Sequence, residues 1–159
     1  MIHQKRRTFE DATKNSYQGA KVQEAGKSEV YSGLINPDIL TQNYDEKIIS
    51  IGFESKFKTG TVFKWINTNS YWMIYLQDST ELAYFKGRVR KCSHKISWKN
   101  DDETIESTYI SLIGPTEKTL QSIVKTNFTI DVPNYSLALL VPQNEKTLAY
   151  FQRYKKFYL

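Results

Sequence analysis

The sequence has few of the residues that carry catalytic, redox or metal chemistry. It contains one cysteine, Cys92, and two histidines, His3 and His94, among 159 residues. A lone thiol cannot form an internal disulfide, so the chain fits a reducing compartment or needs no cross-link. No glycine-rich phosphate loop and no G-x-S-x-G nucleophile motif occurs in it. The sequence therefore predicts a protein that is not an enzyme, with no catalytic residue, no cofactor and no metal site.

Long apolar runs are also missing. No stretch approaches the length needed to span a bilayer, so no membrane association is predicted. The basic first sixteen residues are not followed by the apolar core of a secretory signal, so they are not expected to act as one. The net charge of +5 favours polyanions or acidic protein surfaces. It is weaker than the clustered charge of a dedicated nucleic-acid-binding protein.

The remaining candidates for chemistry each have an ordinary structural alternative. Cys92 and His94 would share a strand face and could form a metal site or a thiol–imidazole pair, but matching ligands are missing nearby. Asp101, Asp102 and Glu103 could bind a cation, yet they also fit the solvated tip of a hairpin. A carbohydrate-binding or hydrolytic domain would place exposed tryptophans beside paired carboxylates, whereas the acidic residues here lie mostly in turns.

Aromatic and β-branched residues are plentiful, and they concentrate in residues 58–92. This stretch holds two of the three tryptophans and three turn signals. Residues 61–66 alternate with a period of two, whereas residues 71–77 are apolar on both faces. Residues 82–92 form a longer strand candidate in which Gly87 indicates a bulge or a sharp bend. The pattern predicts a mainly β fold, a small antiparallel β-barrel or sandwich, and the length predicts one domain.

The two ends of the chain differ from this body. Residues 1–45 have sparse apolar positions and are predicted to be an extended N-terminal arm, with at most a short helix from Thr8 to Asn15. Such a segment is either a loose terminus or an arm that wraps a neighbouring subunit. Residues 46–159 are predicted to form the barrel-like domain. Within it, Asn144 begins one short C-terminal helix, and the last residues are apolar enough to dock on another surface.

One charged pattern admits a second function. Lys86, Arg88 and Arg90 alternate along one strand and therefore share one face. With Trp72 and Tyr84 nearby in sequence, they could form the groove of an OB-like barrel that binds single-stranded nucleic acid. The alternatives are a charged outer strand face, or a face that meets an acidic subunit.

Three segments, residues 34–51, 57–92 and 132–159, resemble virion structural proteins of tailed bacteriophages. The likeness is to the neck ring (head–tail connector) proteins of crAss-like phages, and residues 57–92 also resemble the small β-barrel of head-completion or stopper proteins. This likeness rests on the overall pattern of aromatic-rich strands, which covers most of the chain after residue 30, and not on a short site motif. No individual functional residue is therefore carried over.

The resemblance implies a structural virion protein and no enzyme activity. Copies of the chain would form a ring in the neck between portal and tail, and genomic DNA would pass non-specifically through its lumen. The expected partners are further copies of the chain, the portal, and other neck or tail proteins. The protein would be assembled in the cytoplasm of the bacterial host and located in the virion. The residues predicted to contact other subunits are mainly aromatic: Phe9, Tyr17, Tyr71, Trp72, Tyr75, Phe151, Tyr154, Phe157 and Tyr158.

Overall fold

The fold was analysed in a computed structural model, which describes residues 2–40, 43–100, 102–113, 129–132 and 135–155. The chain divides into two compact units, Met1–Lys91 and Cys92–Leu159. The prediction of a single domain, made from the length, is therefore wrong, because the chain forms two compact units. The first unit contains one helix and six strands: α1 (Ile2–Asn15), β1 (Gly19–Glu24), β2 (Val30–Pro37), β3 (Glu46–Ile51), β4 (Val62–Trp65), β5 (Ser70–Asp78) and β6 (Phe85–Lys91).

The six strands of the first unit close into an antiparallel barrel. Their order around the barrel is β1-β2-β3-β6-β5-β4, and β4 pairs back onto β1. The chain thus makes one three-stranded meander, β1 to β3, and a second one, β4 to β6. The barrel closes where β3 pairs with β6 and β4 pairs with β1. Because every strand is paired on both sides, the barrel has no open edge to which another strand could add.

The inside of the barrel is filled by side chains from alternate positions of all six strands. The buried cluster comprises Ala20, Val22, Ile35, Ile49, Ile51, Phe57, Phe63, Trp72, Ile74, Phe85 and Val89. Phe57 is the member that belongs to no strand. It lies in the connection between β3 and β4, and its ring packs against Tyr31 and Phe63 with centroids 6.1 and 5.6 Å away. This connection therefore fills the end of the barrel where β3 ends and β4 begins.

In its described residues, the second unit has a four-stranded sheet and a helix. Its strands are β7 (His94–Lys99), β8 (Ile105–Ile113), β9 (Thr129–Val132) and β10 (Tyr135–Leu140), in the order β7-β8-β10-β9. Helix α2 (Glu145–Lys155) begins as predicted, because the Asn144 side-chain oxygen accepts a hydrogen bond from the Thr147 backbone N–H at 3.0 Å. The rings of Trp98 and Tyr150 lie 4.9 Å apart and join β7 to this helix.

The predicted fold class is confirmed: the protein is mainly β, with a closed antiparallel barrel and a short C-terminal helix. The division at residue 45 is wrong, because residues 1–45 contain α1 and two of the barrel strands. Alternate residues of these strands, among them Ala20, Val22 and Ile35, are buried in the core. A barrel strand needs only every second residue to be apolar, since the other strands supply the surface it packs against. Sparse apolar residues therefore do not indicate an arm here.

Candidate interaction surface

The three cations predicted to share a face do lie on the outside of β6. Lys86, Arg88 and Arg90 alternate with the buried residues Phe85, Gly87 and Val89. Each cation forms an ion pair within the same chain: Lys86 with Asp78 at 3.4 Å, Arg88 with Asp38 at 3.1 Å, and Arg90 with Glu46 at 2.6 Å. We refer to these three ion pairs as the charge ladder.

The charge ladder becomes more buried along the strand. The side chains of Lys86 and Asp78 are more than a third exposed, whereas those of Arg90 and Glu46 are each 12% exposed. A carboxylate of the chain thus neutralises each cation. The face consequently offers a polyanion less positive potential than the sequence alone suggests.

A bulge in β5 places a tyrosine beside the charge ladder. The register between β5 and β6 shifts between Ile74 and Leu76, so that Tyr75 is the extra residue. Burial raises the pKa of Tyr75 to about 12, and the charge of Glu46 contributes in the same direction. The hydroxyl therefore stays protonated at neutral pH. Opposite this bulge, a Cβ added to Gly87 would lie 2.9 Å from the Leu76 carbonyl oxygen, which explains why glycine occupies the position.

The loop that joins β2 to β3 exposes two large aliphatic side chains. Ile39 is 83% exposed and Leu40 is 80% exposed. Leu40 also lines an open groove of about 480 Å³ together with Ile48, Leu76 and the outward-facing part of the charge ladder. Leu76 is itself half exposed. We refer to Ile39, Leu40 and Leu76 as the apolar tip.

A buried carboxylate holds the apolar tip in place. The side chain of Asp38 is fully buried, and one of its oxygens accepts a hydrogen bond from the Leu40 backbone N–H at 3.1 Å. Its other oxygen pairs with Arg88 Nε. An aspartate that binds its own backbone two residues on forms a tight turn. The chain thus uses a buried carboxylate, paired with the partly exposed Arg88, to fix a turn whose aliphatic side chains contact little of the same molecule.

Of the side chains predicted to contact other subunits, some are exposed and others are engaged within the chain. Trp72 is wrong as a contact residue, because it is 3% exposed and packs inside the barrel. Phe9 stacks on Tyr84 with ring centroids 4.5 Å apart, whereas Tyr17 is almost fully exposed. Tyr71 and Tyr75 are half-buried. The side chains of the remaining four lie outside the described part of the chain: Phe151, Tyr154, Phe157 and Tyr158.

The apolar tip was missed by sequence reasoning, which placed residues 38–40 in the extended N-terminal arm and did not single out Ile39, Leu40 or Leu76 as contact residues. The signal that could have revealed the apolar tip is the order of residues at the end of β2. Pro37 ends the strand, Asp38 favours a turn, and two aliphatic residues follow where a polar loop is expected. Apolar residues placed directly after such a turn signal are candidates for a contact with another molecule.

The weak candidates for chemistry have structural explanations. Burial raises the pKa of the Cys92 thiol to about 12, which keeps it protonated and unreactive. His94 is exposed, and its Nδ1 lies 2.9 Å from the Ser93 hydroxyl. Asp102 accepts hydrogen bonds from Thr104 at the tip of the β7–β8 hairpin. Among the residues that the structure describes, no group of three or more His, Cys, Asp or Glu side chains could hold a metal ion.

The chain was compared with protein-family models, with curated proteins and with solved structures, and none of them matches it. Within the described ranges, neither helix has the length and apolar character needed to cross a bilayer.

Proposed function

We propose that the protein is a structural subunit that assembles with further copies into a ring in the neck of a tailed bacteriophage. The ring would lie between portal and tail and extend the channel for the genome. The observation that carries this proposal is the apolar tip, in which Ile39 and Leu40 are held in the open by a turn that the buried Asp38 carboxylate fixes. A turn with this construction presents an apolar contact to another protein.

The barrel suits such a role because it is closed and has no open strand edge. Subunits of a ring meet through two different patches, one on each side. If those patches were sheet edges, nothing in the pairing itself would stop the sheet from growing without limit. A closed barrel with a defined apolar tip instead gives one contact of fixed geometry. Apolar residues at the centre of a contact surrounded by polar and charged groups are typical of protein interfaces, and here the charge ladder borders the tip.

The phage setting rests on the resemblance of residues 34–51, 57–92 and 132–159 to neck ring proteins. In that setting the partners are the portal and other neck or tail proteins, and DNA passes through the lumen without being read. The charge ladder supports non-specific passage. Because Lys86, Arg88 and Arg90 are already paired with carboxylates, they would not grip phosphates strongly.

Binding of single-stranded nucleic acid is the less favoured function. An OB-fold is a five-stranded, partly open barrel, whereas this barrel has six antiparallel strands and is closed. Trp72, one of the aromatic residues such a groove would need, is inside the core. An affinity for oligonucleotides that falls steeply with salt concentration would support this function over ring assembly.

The test is the oligomeric state of the protein and its place in the virion. We expect closed rings of the wild-type chain by electron microscopy and mass photometry, and we expect a tagged copy to be labelled at the neck of the particle. The double variant Ile39→Ser/Leu40→Ser should unfold at the same temperature as the wild type yet give mostly monomer. A control is Ile105→Ser, which removes a similarly exposed aliphatic side chain from the second unit.

Two results would count against the proposal. A wild-type chain that stays monomeric at every concentration and never labels the neck would exclude the ring. A double variant that forms rings as readily as the wild type would show that the apolar tip is not the contact between subunits.

A further inference from the structure

Helix α1 is attached to the barrel by a small number of surface contacts. None of its fourteen residues is buried. It lies against β1 and β2, and three of its side chains contact one short segment before β6. Lys5 Nζ lies 3.7 Å from Glu81 Oε2, Arg6 Nε donates to the Ala83 carbonyl oxygen at 3.2 Å, and the Phe9 ring stacks on Tyr84. We refer to residues 81–84 as the receptor segment.

These contacts hold the helix weakly. The ion pair is long, and the Lys5 side chain is more than half exposed, so solvent screens most of its attraction. Its other two contacts with the receptor segment are one hydrogen bond and one aromatic stack, and the helix also lies against β1 and β2. Helices in proteins draw most of their stability from packing an apolar face against a core, and α1 buries no residue in one. Undocking of α1 therefore exposes little apolar surface to water.

The receptor segment does not depend on α1 for its shape. The Glu81 side chain accepts hydrogen bonds from the backbone N–H groups of Leu82 and Ala83, at 3.0 and 3.1 Å. These bonds lower the pKa of Glu81 and keep it ionised. The preceding turn is fixed by Asp78, which accepts from both the backbone and the hydroxyl of Thr80. The receptor segment is thus a preformed acidic surface that can receive a basic helix.

The link between α1 and β1 is short and exposed. It consists of residues 16–18, and Tyr17 within it is almost fully exposed. A helix of fourteen residues is about 21 Å long at about 1.5 Å per residue. If the link opens, α1 can reach about the width of a small domain away from Gly19. Opening of a hinge between two elements is the step by which an element is exchanged between identical chains.

We infer that α1 is exchanged between neighbouring copies in the assembled ring, so that the helix of one subunit docks on the receptor segment of the next. The partner is a second copy of this chain, and its recognition uses the same three contacts that the isolated chain makes with itself. The inference rests on the proposed ring. Exchange replaces each contact by an identical one, so it loses no interaction and links the subunits into a closed chain.

Exposed aliphatic side chains flank both halves of this contact. Ile2 at the start of α1 and Leu82 in the receptor segment are both exposed in the single chain. The helix carries Lys5, Arg6 and Arg7, whereas Glu81 and Asp78 line the receptor side. The pairing is therefore complementary in charge.

Chemical cross-linking distinguishes exchange from docking within one chain. In a Cys92→Ser background, the variant Lys5→Cys/Leu82→Cys places one thiol on α1 and one on the receptor segment. It retains Glu81 together with the Arg6 and Phe9 contacts. A short bismaleimide added to assembled rings should give a ladder of linked chains on a denaturing gel. The same reagent added to diluted monomer should give only single chains with an internal loop, which shows that the two positions are within reach.

Mixed rings provide the control. Chains with only Lys5→Cys and tagged chains with only Leu82→Cys should give a cross-linked pair of unequal chains. Replacing Leu82→Cys by Ile105→Cys, which is exposed in the second unit, should abolish that pair. Each variant must match the wild type in circular dichroism and in ring formation.

The outcomes separate the two proposals. Rings that yield only internally looped single chains overturn the exchange of α1 and leave the ring intact. A wild-type chain that forms no rings overturns the proposed function, and the exchange falls with it.

Discussion

At the residue scale, the charge ladder illustrates how the surroundings of a charge decide its role. Arg90 and Glu46 are both nearly buried, and they lie opposite each other on β6 and β3. Arg88 pairs with the fully buried Asp38 and so fixes the turn that carries the apolar tip. The three basic residues thus act first within their own chain, and Arg88 and Arg90 supply the counter-charge for the buried carboxylates of Asp38 and Glu46.

The pair of Glu46 and Arg90 is expected to matter for stability far more than an exposed pair does. Glu46→Gln leaves Arg90 without its carboxylate in a site where both side chains are 12% exposed, and should lower the free energy of unfolding by about 3 kcal/mol. Glu24→Gln breaks the exposed pair with Lys27 in the same unit and should cost about 0.5 kcal/mol or less. Chemical denaturation of both variants measures the difference, and equal costs would contradict the expectation.

At the scale of the element, the connection between β3 and β4 does more than join two strands. It enters the barrel with Phe57 and turns through a short 3-10 helix, Phe53–Ser55, whose end is fixed by Lys56 in the left-handed region. The buried Ser55 hydroxyl donates to the Gly52 carbonyl oxygen and holds this turn. The connection is therefore part of the core, although its sequence resembles a loop.

Two phenylalanines of this connection provide a matched comparison. Phe57 is 6% exposed and contacts the core, whereas Phe53 is 45% exposed. Phe57→Ala should leave a cavity at the end of the barrel and cost about 3 kcal/mol or more, and Phe53→Ala should cost less than about 1 kcal/mol. Thermal unfolding followed by circular dichroism tests this difference. Similar losses for the two variants would show that Phe57 does not fill the barrel.

At the scale of the whole molecule, the boundary between the two units falls directly after the last barrel strand. All six barrel strands lie within Met1–Lys91, and the four-stranded sheet and α2 lie within Cys92–Leu159. The barrel therefore needs the first part of the chain, including β1 and β2, in order to close.

Truncated chains test this boundary. A fragment of residues 1–91 contains every strand of the barrel and should unfold cooperatively with a dispersed amide NMR spectrum. A fragment of residues 46–159, which follows the division predicted from sequence, lacks β1 and β2. It would leave edges of β3 and β4 unpaired, so it should aggregate or remain disordered. A cooperatively folded second fragment would show that β1 and β2 are dispensable.

The sequence by itself determined the local β structure of this protein. The strands at β3 to β8, the turn after β4 and the Asn144 cap of α2 follow from period-two patterns and turn chemistry, which depend on residues close in sequence. Helix α1 was only partly anticipated. It ends at Asn15, as predicted, but begins at Ile2, and Thr8 lies within it and donates to the Gln4 carbonyl oxygen instead of capping it.

Only the tertiary structure decided which of these strands close on one another, and what each face then meets. β1 and β2 have too little apolar surface to be recognised alone, because the surface they pack against comes from β3 and β4. Trp72 is of a residue type that is common at interfaces and is in the core, whereas Ile39 and Leu40 follow a turn signal and are exposed. Exposure depends on contacts between residues far apart in the chain, such as Asp38 with Arg88, and no local pattern encodes them.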